Sequence, residues 1–157
     1  MNCKKWAPWM VLFVSSYVMA DASVRFPPSV QTRIDQTESF NAEVITAEEL
    51  KAKVARNEPV TIIDVRDTSS YVDSEARIKG SIHVKLRRLH TRLSFPPLKN
   101  VPRDSEVVTY CACPRDEASL HAARILLDAG FKRVRVLQGG WQMWLKVNGQ
   151  MEPRPKA

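Results

Sequence analysis

Val107-Val108-Thr109-Tyr110-Cys111-Ala112-Cys113-Pro114-Arg115-Asp116-Glu117-Ala118 is the stretch that decides the fold. Its first four residues are β-branched or aromatic, the composition of a buried strand. The strand runs directly into a cysteine. Beyond Ala118 the period changes: Ala122, Ala123, Ile125 and Leu126 share one helical face, and Gly130 stands where a C′ cap belongs. Residues 107–130 thus read as strand, cysteine loop, helix. In open parallel sheets, ligands bind at the carboxyl ends of strands. The helix N-terminus that follows offers unpaired N–H groups and a dipole that favour an anion, including a thiolate. The pattern predicts a nucleophilic thiol. The competing reading is a cysteine that packs as a small hydrophobe.

The same alternation extends outward. Thr46-Ala47-Glu48-Glu49 fits a capping box, Leu50 and Val54 form an apolar stripe, and Pro59 marks that helix's end. Val60 to Ile63, Ser81 to Val84 and Val134 to Leu137 read as further short strands. Gly139-Gly140 turns into a helix carrying Trp141, Trp144 and Leu145, stopped near Gly149, with both tryptophans expected in the core. Strands alternating with helices predict one α/β domain over residues 45–148, with a mostly parallel central sheet flanked by helices. Residues 23–44 read as a lead-in, with Pro27-Pro28 and no period. Residues 149–157 read as a polar, frayed tail.

The chain has 157 residues, 44% of them hydrophobic and 26% charged, which excludes a disordered chain and a multi-span membrane protein. Residues 1–22 have the layout of a secretory signal: Lys4 and Lys5, an apolar run from Trp6 to Met19, and small residues at Ala20 and Ala22. The run is short of the ~20 residues that span a bilayer, and an uncleaved membrane anchor is the second reading. Export to a bacterial periplasm, an oxidising compartment, is expected. Cys3 would leave with the signal. Three cysteines are too few for a disulfide scaffold. The net charge of +7 suits anionic partners. Arg77 to Arg103 holds eight Lys or Arg and no acid, which reads as a solvated face or a surface for an anionic donor, an acidic protein or a membrane. No aromatic platform or motif accompanies it, so nucleic acid is not expected. His83 and His90 lack partners at metal-ligand spacing, and neither a metal nor a cofactor is expected. Oligomeric state is left open.

Several short motifs share a known order and spacing. They are Ile45-Thr46-Ala47-Glu48-Glu49-Leu50, Ile62-Ile63-Asp64-Val65-Arg66, Arg77-Ile78-Lys79-Gly80-Ser81-Ile82, Val108-Thr109-Tyr110-Cys111, Ala129-Gly130-Phe131, and Leu137-Gln138-Gly139-Gly140-Trp141-Gln142-Met143-Trp144. From about Ile45 to Trp144 the chain resembles a single rhodanese-like domain. The resemblance implies a sulfurtransferase. A cysteine thiolate takes the outer sulfur of thiosulfate or another persulfide or polysulfide donor, and the persulfide passes it to a thiol or to cyanide. It implies Cys111 as nucleophile, residues Ala112 to Ala118 as the active-site loop, and Asp64 and Arg66 as braces of that loop. Arg77 replaces the family's histidine and reads either as a third support of the loop that supplies positive charge or as a solvated arginine.

The loop departs from the family's common pattern of Cys, four residues, then Arg. Asp116 stands five after Cys111, and Ala118 five after Cys113. Aligned on the helix instead of the strand, Cys113 takes the nucleophile's place. The Cys-x-Cys-Pro form resembles a variant loop of rhodanese-like domains attached to membrane proteins. Phosphatases and arsenate reductases of this fold need Cys, five residues, then Arg. Glu117 in that place would repel the dianion, as Ser119 counted from Cys113 would fail to hold it. A Cys111–Cys113 redox module and a non-catalytic binding module, serving a membrane partner, are the alternative readings.

Overall fold

The computed structural model describes residues 42–155. The expected signal peptide and most of the lead-in lie outside the described residues.

Five strands form one parallel sheet: β1 (Glu43–Ile45), β2 (Thr61–Asp64), β4 (Ile82–His83), β5 (Glu106–Tyr110) and β6 (Arg133–Leu137), in the spatial order β1-β6-β5-β2-β4. The central strand β5 is buried at every residue, as expected of a parallel strand covered on both faces. Two apolar layers cover it. One contains Ile63, Val107, Ala122, Ala123, Leu126 and Val136; the other contains Leu50, Ile62, Val108, Leu137, Trp141 and Trp144.

Local chemistry explains the helices. In α1 (Ala47–Ala55) the Thr46 hydroxyl accepts the Glu49 N–H at 3.1 Å, the first half of the capping box. In α2 (Thr68–Asp73) the Asp67 carboxylate accepts the Ser70 N–H at 2.8 Å. The helix α3 (Leu89–Arg92) is a single turn. In α4 (Glu117–Asp128) Ala122, Ala123 and Leu126 are buried as their spacing predicts. α5 (Gly140–Lys146) seats Trp144 with no exposure, and Gly149 lies flat against its ring, where a Cβ would collide.

Two boundaries differ from expectation. The lead-in supplies β1, an edge strand whose only buried residue is Ile45. The tail is not frayed. Strand β7 (Met151–Pro153) pairs antiparallel with β3 (Ala76–Ile78), and Arg154 N–H donates to the Glu75 carbonyl at 3.0 Å. The domain therefore reaches from Glu43 to Pro153. No helix among the described residues is long and apolar enough to cross a membrane.

Candidate active site

The cysteine loop leaves the carboxyl end of β5, at the centre of the sheet. The loop is pinned at two points by the start of α5 and the residue before it. Trp141 N–H donates to the Cys111 carbonyl at 2.8 Å, and Gly139 N–H donates to the Asp116 carboxylate at 2.8 Å. Gly140 sits between these bonds at φ 45°, with the Cys111 carbonyl where a Cβ would stand. Only glycine combines that left-handed backbone with that close approach.

The two cysteines are sorted by burial. Cys111, the nucleophile that the resemblance implies, is wholly buried and packs in the core with Ala122 and Val84. The chain bends back after it, so Cys113 N–H donates to Cys111 Sγ at 3.3 Å, and Ser119 Oγ lies 3.5 Å from the same sulfur. The Ser119 hydroxyl proton is committed to the Asp116 carbonyl, 2.8 Å away. A hydroxyl has one hydrogen, so the Cys111 S–H donates to Ser119 Oγ. Cys113 is partly exposed and lines an open cavity of about 680 Å³, walled also by Ala118, Arg66, Ser70, Lys85 and Arg87. Burial, the neighbouring Cys111 and the Glu117 charge push the Cys113 thiol up; the Ala118 N–H at the start of α4 opposes them.

The loop's two acids point away from the cavity. Asp116 adopts a left-handed backbone (φ 55°) and turns its carboxylate to Gly139. Burial raises its pKa, and the Gly139 bond works the other way. Glu117 pairs outward with Arg115, whose side chain is 84% exposed. Arg115 is therefore not the missing loop cation. Asp67 also borders the cavity, but its Oδ1 is engaged by Ser69 Oγ and the Ser70 N–H.

Asp64 and Arg66 form a buried pair. Arg66 Nη2 donates to Asp64 Oδ2 at 2.6 Å, and Tyr110 O–H donates to the same carboxylate at 2.7 Å. The Arg66 guanidinium lies 4.2 Å from the centre of the Trp141 ring and donates to the Ala76 carbonyl. Burial alone would raise the Asp64 pKa. The His83 ring, the Arg66 hydrogen bonds and charge, and the Tyr110 hydroxyl outweigh it and hold the carboxyl below its ordinary value. The pair braces the end of β2 against β5 and α5, one wall of the cavity. Arg77 is elsewhere. It lies on β3, bonded to Glu152 of β7 at 2.8 Å, and does not line the cavity. The positive charge at the cavity comes instead from Lys85 and Arg87, both within the one-signed run seen in the sequence. Ser119 and the pinning role of Gly139 and Trp141 had no separate signal in the sequence. Among the described residues no group of His, Cys, Asp and Glu gathers that could hold a metal ion.

The sequence profile of the rhodanese-like domain matches residues 46–147. The chain belongs to the rhodanese-like domain family. Thiosulfate sulfurtransferase GlpE of Pseudomonas fluorescens is 27% identical over 94 residues, covering 60% of this chain and 78% of that one. GlpE of Ectopseudomonas mendocina is 28% identical with the same coverage. The crystal structure of the Alr3790 protein from Anabaena sp. superposes with a TM-score of 0.60 at 31% identity, over 70% of this chain and 82% of that one. The rhodanese-like domain described here is thus distantly related to thiosulfate sulfurtransferases.

Proposed function

We propose that this rhodanese-like domain transfers sulfane sulfur through a persulfide on Cys113. The observation that carries the assignment is that Cys113 borders the cavity, beside Lys85 and Arg87, while Cys111 is wholly buried. The Cys113 thiolate attacks the outer sulfur of a donor such as thiosulfate. The new S–S bond forms as the old one breaks, and its electron pair leaves with sulfite. A thiolate or cyanide then attacks the outer sulfur of the persulfide, and the Cys113 thiolate leaves. Lys85 and Arg87 favour an anionic donor. A cavity of about 680 Å³ lies within the range of small-molecule sites. It leaves room beside the sulfur for an organic persulfide or polysulfide, or for a bulky thiol acceptor.

The test is intact mass and peptide mapping of the reduced full-length chain after exposure to thiosulfate or inorganic polysulfide. Loading of Cys113 is expected, read as about one sulfite released per chain from thiosulfate and, while the persulfide persists, as a gain of about 32 Da on Cys113. Cys113→Ser should abolish it, and Lys85→Ala with Arg87→Ala should raise the half-saturating thiosulfate concentration by about tenfold. A gain mapped to Cys111, or neither a gain in mass with either donor nor release of sulfite from thiosulfate, would overturn the assignment.

A further inference from the structure

Cys111 has no role in the transfer just described, yet it is a buried thiol in contact with the loop that carries the persulfide. We propose that Cys111 is a resolving thiol: it attacks the Cys113 persulfide from the interior, closing a Cys111–Cys113 disulfide and expelling hydrosulfide into the cavity. This rests on Cys113 being the sulfur carrier.

Three observations support it. The backbone of residues 111–113 is already bent back, with Cys113 N–H held 3.3 Å from Cys111 Sγ. Cα atoms two residues apart are separated by at most about 7 Å, and a bend brings them within the span of a disulfide. The direction of attack also fits. Thiol exchange passes through a near-linear arrangement of three sulfurs. Cys111 lies on the core side of Cys113 and the cavity on the other, so the leaving sulfur exits into open space. Finally, the two thiols already interact side chain to side chain, and the other polar partners of the Cys111 sulfur are one N–H donor and the Ser119 hydroxyl oxygen.

The step balances. Cys111 thiol and Cys113 persulfide anion become one disulfide and one hydrosulfide ion. The bond from Cys113 to the outer sulfur breaks and the bond from Cys113 to Cys111 forms. The Cys111 proton leaves on the hydrosulfide. The outer sulfur is reduced by two electrons, and the two cysteine sulfurs are oxidised together by two. No further oxidant is needed. The consequence is a second activity. With no external acceptor, the domain would release sulfide once, then wait for a thiol reductant of its disulfide.

The experiment is a single turnover of the reduced full-length chain with excess thiosulfate, under a nitrogen stream that carries sulfide into a zinc acetate trap. Sulfite reports loading of Cys113, and trapped sulfide reports resolution. About one sulfide per chain is expected, with a mass about 2 Da lower and a mapped Cys111–Cys113 bridge. Cys111→Ser and Cys111→Ala, checked for folding by circular dichroism, should release sulfite, keep a stable persulfide and give roughly tenfold less sulfide. Sulfite without sulfide from the unaltered chain would overturn the resolving role and leave the sulfurtransferase reading intact. Neither product would overturn both.

Discussion

Gly140→Ala puts the geometry of the cysteine loop to its hardest test. The new Cβ would overlap the Cys111 carbonyl oxygen, a backbone atom at the end of the central strand that cannot swing aside. The residue also sits at φ 45°, which costs an L-residue about 1–2 kcal/mol. Relieving the overlap stretches the Trp141 N–H bond to Cys111, now 2.8 Å, for a further loss of about 1 kcal/mol. Together these amount to about 2–3 kcal/mol, or a fall in Tm of roughly 10 °C for a domain of this size. Urea unfolding followed by circular dichroism measures it, with the slope against urea unchanged. Gly80→Ala is the control. Its φ is +74° but its Cβ would meet nothing within 4 Å, so it should lose only the backbone cost. Sulfur loading should fall in the Gly140 variant and persist in the Gly80 variant. A loss at Gly140 no larger than at Gly80, with loading intact, would show that the turn does not hold the loop.

Other consequences follow from single groups. Arg66→Leu strands the buried Asp64 carboxylate and should cost about 3–5 kcal/mol at neutral pH, read by thermal unfolding. The folded Asp64 pKa lies below its unfolded value, so the pair's contribution is full above about pH 4 and fades as pH falls through the folded value. A Tm that does not fall faster in acid for the unaltered chain than for Asp64→Asn would contradict this. Asp116→Asn keeps an acceptor for Gly139, tolerates the left-handed backbone and removes a half-buried charge; calorimetry should place it within about 0.5 kcal/mol of the unaltered chain or above it. Asp116→Ala should lose about 1–2 kcal/mol. The Cys113 thiol is pushed up, so the rate of loading by thiosulfate should climb as pH rises through the alkaline range. A rate flat in pH would mean that the thiolate is already formed at neutrality.

The parts of this domain with dense local signals were legible. The strand before Cys111 and the helix after it have opposite periods, and the fold places both within one residue of their expected limits. Elements that lack such a signal were not. β1 has three residues and buries one, too few for a period to show. α2 buries none and is started by a polar cap. β7 is polar because it lies at the surface, and its partner is some seventy residues earlier, so nothing near Met151 announces it. The same distance hid the fate of Arg77. The site divided in the same way. Asp64 and Arg66 were legible as a pair, but their burial depends on Tyr110 and Trp141, which arrive from other strands and helices. The strand points to Cys111 as the active thiol and the helix points to Cys113. The bend after Tyr110, which separates the two sulfurs, leaves no trace in residue type.

That separation makes Cys111 a built-in timer of the fold. An alkylating reagent in water meets Cys113 at once, whereas Cys111 must wait for the loop or the whole domain to open. Each 1.4 kcal/mol of opening free energy slows its labelling about tenfold. The ratio of the two labelling rates, read from one peptide, therefore measures how often the centre of this sheet is exposed, with no engineered probe and no denaturant.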